Sequence, residues 1–332
     1  MYMLSFLFNV LVFPGFAFVL FLTLICDWFE RKVEARMQNR MGPTYTGPAG
    51  LLQPLADFIK LLTKEDIVPL DSRHFIFMLA PIFAFTIFVF AFLFLPITGT
   101  YGTITSGFEG DIILVLTLVT VANFFLFLSG WASINPYCII SAARILTQFL
   151  GYDLPLFLLA LAPAILASHI SFHAIVSSQS FPFLISVPWA FVLFIFALQA
   201  ELEKDPFDVP NAESELVGGY ETEYSGRRLA FLKLAKDVQI VLGAAITVEL
   251  FLGGPNGPVF FGMPALWHTI WFIIKLLFVI FISEYLTCVF ARLRIDQVLA
   301  DTWRVLLPLA LLSLLGAVAV KLWVYPLIGV VV

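Results

Sequence analysis

The stretch that decides the fold is Phe75-Ile-Phe-Met-Leu-Ala-Pro-Ile-Phe-Ala-Phe-Thr-Ile-Phe-Val-Phe-Ala-Phe-Leu-Phe-Leu95, an apolar run without a charged residue. A helix needs about 20 mostly apolar residues to cross a bilayer, and this run has that length. The whole 332-residue chain is similar, with 61% hydrophobic and only 12% charged residues. Water-soluble proteins carry roughly 25% charged residues, so these charges cannot cover a soluble surface. The composition predicts an integral membrane protein and excludes a soluble enzyme.

Seven further segments are long and apolar enough to be read as spans. We therefore predict an all-α integral membrane protein, a single membrane domain over residues 1–332 with eight transmembrane helices. The fourth span is interrupted by Pro155 and Pro163. The predicted spans are residues 3–26, 75–95, 112–131, 154–170, 183–200, 238–253, 266–290 and 305–328.

Basic residues alternate from loop to loop and predict the orientation. Sixteen of the 18 lysines and arginines fall in the loops 27–74, 132–153, 201–237 and 291–304. The intervening loops 96–111, 171–182 and 254–265 contain none. Lysine and arginine accumulate on the cytoplasmic side of membrane proteins, so the four basic loops are predicted to be the inner ones. Both termini are then outside.

Charge and cysteine usage limit the ligands of the chain. The net charge of −5 argues against a nucleic-acid partner, because phosphate binding needs clustered excess lysine and arginine. Cys26, Cys138 and Cys288 lie far apart in sequence. Iron–sulfur clusters and structural zinc need closely spaced thiolates, so we expect this chain to bind no metal or cluster itself.

The first inner loop contains a predicted interfacial helix. Two Gly-Pro pairs, at Gly42 and Gly47, end the helical extension of the first span. The following segment, 50–64, is too short and polar to span, and its apolar residues form a helical stripe. Such a helix lies in the membrane interface, either as a plain anchor or as the lip of a cavity that opens to lipid. The stripe consists of Leu51, Leu52, Leu55, Ile59 and Leu62.

The third inner loop is dense in carboxylates. Eight fall between Glu201 and Glu223, and repulsion with partial burial raises the pKa of some members of such a cluster. Groups of this kind exchange protons near neutral pH. The alternative is a solvated acidic loop without chemistry. The apolar and glycine residues of Pro206-Phe and Leu216-Val-Gly-Gly-Tyr220 favour a packed loop instead.

Three charged residues lie within predicted spans six and seven: Glu249, Lys275 and Glu284. A charge at the centre of a membrane helix costs at least about 2.5–3.5 kcal/mol, so such residues indicate function. Lys275 and Glu284 are nine positions apart and point to opposite faces of one helix. We predict a row of separate stepping stones, with Glu249 in the outer third, Lys275 near the middle and Glu284 in the inner third. The alternative is that Lys275 pairs with a carboxylate of a neighbouring subunit.

Several long motifs resemble a membrane subunit of complex I that is called subunit 1 or the H subunit. The first inner loop contributes Glu30-Arg-Lys, Gln38, Met41-Gly-Pro and Gly50-Leu-Leu-Gln-Pro-Leu-Ala-Asp-Phe-Ile-Lys60. The acidic loop contributes Pro206-Phe-Asp, Ala212-Glu-Ser-Glu-Leu-Val and Thr222-Glu-Tyr-Ser-Gly. The last inner loop contributes Arg292-Leu-Arg-Ile-Asp-Gln297 and Trp303-Arg. The similarity covers nearly the whole chain in order.

The resemblance implies a subunit without catalytic residues of its own, at the junction between an iron–sulfur peripheral arm and an ion-translocating membrane arm. It implies a coupling path through carboxylates and a cavity or interface region around the first and last inner loops. The path residues, partly assigned from the charges above, are Asp153, Glu201, Asp208, Glu213, Glu215, Glu221, Glu223, Glu249, Lys275 and Glu284. The cavity or interface residues are Glu30, Arg31, Arg36, Gln38, Gln53, Asp57, Arg144, Arg292, Arg294 and Asp296.

The resemblance also implies partners: iron–sulfur and catalytic peripheral subunits, antiporter-like membrane subunits and a lipid bilayer, which is the plasma membrane or, alternatively, the mitochondrial inner membrane. Clusters would belong to the partners, and a quinone is a candidate ligand. Departures such as Glu201-Leu-Glu-Lys, Asn211 and Ala291-Arg-Leu-Arg-Ile lean toward membrane-bound hydrogenases and sulfur-reducing relatives. The alternatives are the quinone-chamber subunit of a donor–quinone oxidoreductase and a free-standing secondary transporter.

Overall fold

The computed structural model describes residues 8–98, 108–179, 181–259 and 262–325, without the side chains of Glu213, Ser214 and Val324. Every regular element in these ranges is helical, as predicted. We number nine principal helices. They are α1 (Phe16–Met37), α2 (Gln53–Thr63), α3 (His74–Phe92), α4 (Asp111–Ala132), α5 (Pro136–Ala167), α6 (Pro188–Glu201), α7 (Gly226–Phe251), α8 (Pro264–Val289) and α9 (Ile295–Trp323).

Within the described ranges, six helical segments are long and apolar enough to cross a membrane: Phe8–Met37, α3, α4, α5, α8 and α9. The predicted fifth and sixth spans are helices as well, but neither meets the criteria of length and apolar composition that the other six meet. Helix α6 has only 14 residues, because Val187 is not helical and separates it from the short helix Phe183–Ser186. Helix α7 has 26 residues but carries charged side chains along its first three turns.

Two helices extend beyond the spans predicted from the sequence. Helix α5 begins at Pro136 and runs unbroken for 32 residues, through Pro155 and Pro163, whereas the sequence predicts an inner loop up to residue 153. The side chain of Asn135 caps its start by accepting a hydrogen bond from the Tyr137 amide at 3.0 Å. Helix α7 begins twelve residues before its predicted start. Hydropathy alone places its early charged residues in a loop, yet Arg228 pairs with the partly buried Asp66 and Lys236 with the buried Glu203.

Helix α7 lies at the centre of the bundle and positions the polar site. It packs against α1, α2, α3 and α8, and almost every residue after Val238 is buried. These helices form one half of the bundle. In the other half, helix α5 packs against α4, α6 and α9. The acidic segment between α6 and α7 folds over the ends of both halves as short turns, including the helical turn Gly219–Glu221.

Candidate functional site: a buried network of charged residues below the acidic loop

The interfacial helix α2 is attached to α1 through charged side chains. The guanidinium of Arg31 donates to Asp27 at 2.8 Å and to Asp57 of α2 at 2.6 Å. Gln53 donates to Asp57 at 2.9 Å. Burial raises the pKa of Asp57, but the hydrogen bonds from Arg31 and Gln53 outweigh it and hold the pKa below its ordinary value. Asp57 therefore stays ionised and keeps the two helices together.

The apolar stripe of α2 faces away from the protein. Leu55 and Ile59 are 39% and 51% exposed although they are large and apolar, and Leu51 and Leu52 are exposed beside them. On the opposite side of α2, a cavity of about 40 Å³ separates it from α1 and α7. Charged side chains from all three helices line this cavity: Asp27, Arg31, Asp57, Lys233 and Asp237.

Lys204 joins three distant parts of the chain. Its ammonium donates to Glu30 of α1 at 3.2 Å and makes a short hydrogen bond to Glu284 of α8. All three side chains are at least 85% buried. Burial alone would lower the pKa of Lys204, but the two carboxylates outweigh it and raise the pKa above its ordinary value. Glu284 is therefore one arm of a salt bridge to the acidic loop, a partner that the sequence does not indicate.

Glu201, the last residue of α6, is 4% exposed and is held by three helices. The amide of Asn123 in α4 donates to its carboxylate at 2.5 Å, and the hydroxyl of Tyr152 in α5 also donates to it. Gln239 of α7 donates to the Glu201 carbonyl at 2.9 Å. Asp153 lies close enough to interact electrostatically and accepts a hydrogen bond from Thr120 at 3.0 Å. Two predicted path carboxylates thus lie near each other inside the bundle.

Glu203 forms a second buried pair with α7. The ammonium of Lys236 lies 3.1 Å from the Glu203 carboxylate and 4.9 Å from the centre of the Tyr220 ring. Burial raises the pKa of Glu203 above its ordinary value even though Lys236 opposes this. Glu221 interacts electrostatically with Lys236 from the turn above. Lys236 is therefore a member of the network.

At the surface of the acidic loop, Glu215 binds two arginines. Its oxygens lie 2.8 Å from Arg144 of α5 and 2.7 Å from Arg292. Hydrogen bonding by Arg144 holds the pKa of Glu215 below its ordinary value, so Glu215 is a fixed anion. Asp208, by contrast, is partly buried and has one carboxylate oxygen without a partner among the described residues. Burial raises the pKa of Asp208 above its ordinary value.

Glu249 and Lys275 lie far from this network. Glu249 is about 20 Å beyond Lys236 along α7, at 1.5 Å per residue. It is completely buried, and neither carboxylate oxygen has a hydrogen-bond partner within the described ranges. The ammonium of Lys275 donates to the carbonyls of Leu252, Gly254 and Asn256 at 2.7–2.8 Å.

The ammonium of Lys275 thus lies beside the end of α7, although residue 275 itself is near the middle of α8. Side chains of a helix point toward its N-terminus, and α8 begins at Pro264 beside the end of α7. The ammonium of Lys275 is accordingly carried past the last turn of α7, where it caps free carbonyls. Positively charged groups are favoured at helix C-termini.

The remaining predicted residues lie near the ends of the helices, outside the buried network. Arg36 lines an open groove between α1 and α8, and Gln38 bonds to Glu34 and Arg40 just after α1. Glu223 accepts a hydrogen bond from Asn135 at 2.5 Å. Arg294 and Asp296 stand at the start of α9, while the side chain of Glu213 lies outside the described part of the structure.

Comparisons with known proteins identify the family of the chain. The NADH dehydrogenase family matches residues 10–318 of the chain. The chain belongs to this family. Among its relatives, the H subunit of the NADH-quinone oxidoreductase of Dehalococcoides mccartyi is 38% identical over 90% of this chain and 82% of the relative. The same subunit of Thermomicrobium roseum is 39% identical, over 89% of this chain and 90% of the relative, and that of Syntrophotalea carbinolica is 38% identical over the same shares.

Membership of the NADH dehydrogenase family corrects one expectation from the sequence. The leaning toward the hydrogenase and sulfur-reductase branch finds no support, because these relatives carry the name of the quinone-linked subunit. The alternative of a donor–quinone oxidoreductase subunit fits them. A free-standing secondary transporter likewise finds no support among these relatives.

Several residues of the network are not predicted by the sequence: Asp27, Asn123, Tyr152, Glu203, Lys204, Lys236, Asp237 and Gln239. In the sequence Lys204 is only a departure from a motif, and Lys236 falls in a predicted loop. The available signal for Lys236 and Asp237 is their adjacency to an apolar run, since charged residues continuous with such a run belong to its helix. Nothing in the sequence indicates that Lys204 reaches Glu30, 174 positions away.

Proposed function

We propose that this chain is the junction subunit of a complex I-like oxidoreductase and couples electron transfer in an iron–sulfur peripheral arm to H⁺ or Na⁺ movement in the membrane arm. In this proposal, α6 and α7 complete eight membrane crossings. The acidic loop faces the inner side of the plasma membrane, and both termini lie outside, in agreement with the basic loops. Iron–sulfur, catalytic and antiporter-like membrane subunits are its partners.

One observation carries the proposal: Glu201 is a buried carboxylate at the point where the acidic loop enters the bundle. Its partners Asn123 and Tyr152 are neutral, so its charge is not cancelled by a cation in direct contact. Asp153 is a like charge nearby. A buried carboxyl with neutral partners and a like-charged neighbour changes its protonation in response to small changes in its surroundings.

The neighbouring network supports a route by which the acidic loop affects Glu201. The backbone of residues 201–208 carries Glu201, Glu203, Lys204 and Asp208, so a movement of this segment changes several contacts together. Lys204 binds α1 and α8, and Glu203 binds α7 through Lys236. A redox event that shifts the acidic loop would therefore alter the charge balance around Glu201. Glu249 and Lys275 would form the outer end of the path.

A quinone as substrate is the second candidate, favoured by the names of the relatives and by the charged cavity between α1, α2 and α7. At about 40 Å³ the cavity holds only a few water molecules, since each needs about 10–15 Å³ of the space that a water-sized sphere can enter. A quinone ring would enter only if α2 moved outward. Arg31 and Asp57 would then lie at the entrance.

The experiment that tests the proposal is affinity purification of this chain in mild detergent, followed by reconstitution into liposomes. We expect iron–sulfur subunits to co-purify and electron transfer to build an ion gradient. In a strain lacking the chain, the peripheral arm should still reduce an artificial acceptor but build no gradient. A chain that purifies alone, or a gradient that forms without it, would contradict the proposal.

A further inference from the structure

Two cavities adjoin each other at the start of α9, outside the network described above. The larger is a groove of about 310 Å³ between α6 and α9. It extends from Thr302 to Leu309 along α9, about 10 Å at the helical rise of 1.5 Å per residue. Apart from Asp301 and Thr302 at one end, its lining is apolar: Leu193, Phe196, Ala200, Phe207, Val305, Leu306 and Leu309.

The backbone of α9 is irregular along this groove. Residues Thr302–Leu306 form a π-helical turn between two α-helical segments. Insertions of this kind occur frequently at functional sites. The hydroxyl of Thr302 donates to the Val298 carbonyl at 2.7 Å, so it makes no polar demand on a ligand in the groove. The groove can therefore take a hydrocarbon chain.

The smaller cavity, about 200 Å³, is polar and is lined by the residues at the start of α9 together with Arg144, Val209 and Glu215. Its lining includes three guanidinium groups and two carboxylates, so the local charge is positive. Glu215 is shared by Arg144 and Arg292. Within the described part of the chain, Arg294 forms no ion pair, and it lines the cavity without being buried.

The two cavities are close along the chain: Phe207 lines the groove, and Val209, two residues further on, lines the polar cavity. Ile295, in the polar cavity, is about 9 Å along α9 from Asp301 at the groove mouth. The amide of Leu293 holds this corner by donating to the Pro206 carbonyl at 2.9 Å. In the orientation proposed above, a positive pocket at the inner membrane surface therefore lies next to an apolar groove that runs toward the bilayer centre.

We propose that a phospholipid of the inner leaflet occupies both cavities. Its phosphate binds Arg294 and Arg292, and one acyl chain fills the groove between α6 and α9. Basic pockets between membrane helices on the cytoplasmic side bind anionic headgroups. Here the positively charged cavity would hold the headgroup, and the apolar groove next to it would hold the acyl chain. A transmembrane helix of a partner subunit would need a groove that is apolar along most of the membrane thickness, whereas this groove covers only about two turns of α9 and has Asp301 at one end. The net positive charge favours phosphatidylglycerol over phosphatidylcholine.

The test uses the intact complex, purified in mild detergent, with native mass spectrometry to count retained phospholipids after incubation with phosphatidylglycerol or phosphatidylcholine. Leu309→Trp fills the groove. Its matched control, Leu312→Trp, places the same side chain on α9 at a position that is 60% exposed and does not line the groove. Arg294→Gln removes the unpaired charge, and Arg304→Gln is its control because Arg304 lines neither cavity.

We expect Leu309→Trp, and not Leu312→Trp, to retain one phospholipid fewer per complex. We expect Arg294→Gln to weaken phosphatidylglycerol binding roughly tenfold, since a hydrogen bond to a charged group is lost, and Arg304→Gln to leave it unchanged. Equal lipid counts in wild type and Leu309→Trp would overturn the proposal. So would loss of a partner subunit from Leu309→Trp with an unchanged lipid count, because the groove would then hold a protein helix.

Discussion

Lys204 and Glu284 form a buried ion pair across 80 positions of sequence, and the same ammonium also binds Glu30. The pair fixes the acidic loop to α8, and the second carboxylate fixes it to α1. Two carboxylates with one ammonium give the cluster a formal charge of −1. The arrangement therefore depends on Lys204 more than on either carboxylate.

Lys204→Met should destabilise the complex by about 3–5 kcal/mol, because it leaves Glu30 and Glu284 buried without a counter-charge. Adding Glu30→Gln and Glu284→Gln should recover a large part of this loss, since the uncompensated charges are removed. The exposed control Lys60→Met should change the stability by less than about 0.5 kcal/mol. The midpoint of thermal inactivation of the purified complex measures all three. No recovery in the triple variant would show that the carboxylates are not the source of the loss.

The interfacial position of α2 can be tested at two exposed apolar residues. Leu55→Asp with Ile59→Asp should detach the helix from the membrane, because each side chain contributes about 1.5–3 kcal/mol on burial and the variant adds two charges. Turnover of the complex should then be lost. The control Leu55→Met with Ile59→Met keeps the apolar area and should retain turnover. Normal assembly and turnover in the aspartate variant would place this stripe outside the membrane interface.

Asp208 gives the acidic loop a pH-dependent stability. Its pKa is raised by burial from an ordinary value of 3.8, so the folded protein binds more protons than the unfolded chain just above that pH. Stability then falls as pH rises from 3.8 through the raised pKa. Asp208→Asn should remove this decline and be at least as stable as the wild type at neutral pH. Thermal midpoints measured from about pH 4 to about pH 8 check the slope; an unchanged slope would mean that Asp208 is ionised throughout.

Lys275→Met tests whether the outer end of the path takes part in coupling. The variant leaves the carbonyls of Leu252, Gly254 and Asn256 uncapped and removes the cation nearest Glu249. We expect electron transfer to an artificial acceptor to persist while the ion gradient is lost. Lys275→Arg, which keeps the charge, should retain part of the gradient. Pumping at the wild-type ratio in Lys275→Met would leave Lys275 with a capping role alone.

The helix positions can be predicted from the sequence because long apolar runs have few alternatives in a membrane. The start of the interfacial helix is predictable for a different reason, because glycine adopts positive φ angles more readily than other residues. Gly47 and Gly50 have φ angles of 75° and 79° and interrupt the helix before α2. The start of α7 at Gly226 is only weakly indicated by the sequence, because the adjacency of Lys236 and Asp237 to an apolar run does not show that the helix extends ten residues further back.

The acidic loop shows why the state of a carboxylate cannot be predicted even where its position can. Glu215 and Glu201 look alike in the sequence, yet Glu215 is fixed by two arginines and Glu201 has neutral partners. Such differences arise from contacts between helices that are far apart in sequence. Periodicity and composition describe one helix at a time and contain no information about these contacts.

The central claim is that Glu201 changes protonation during coupling, and the ratio of ions moved to electrons transferred in proteoliposomes tests it most directly. Glu201→Gln keeps the size of the side chain and its capacity to bond Asn123 and Tyr152. It should assemble normally and transfer electrons, with an ion-to-electron ratio near zero. Gln199→Glu would be a poor control because Gln199 is itself buried, whereas Gln38→Glu, outside the buried network, should keep the wild-type ratio if it assembles. A wild-type ratio in Glu201→Gln would contradict the account.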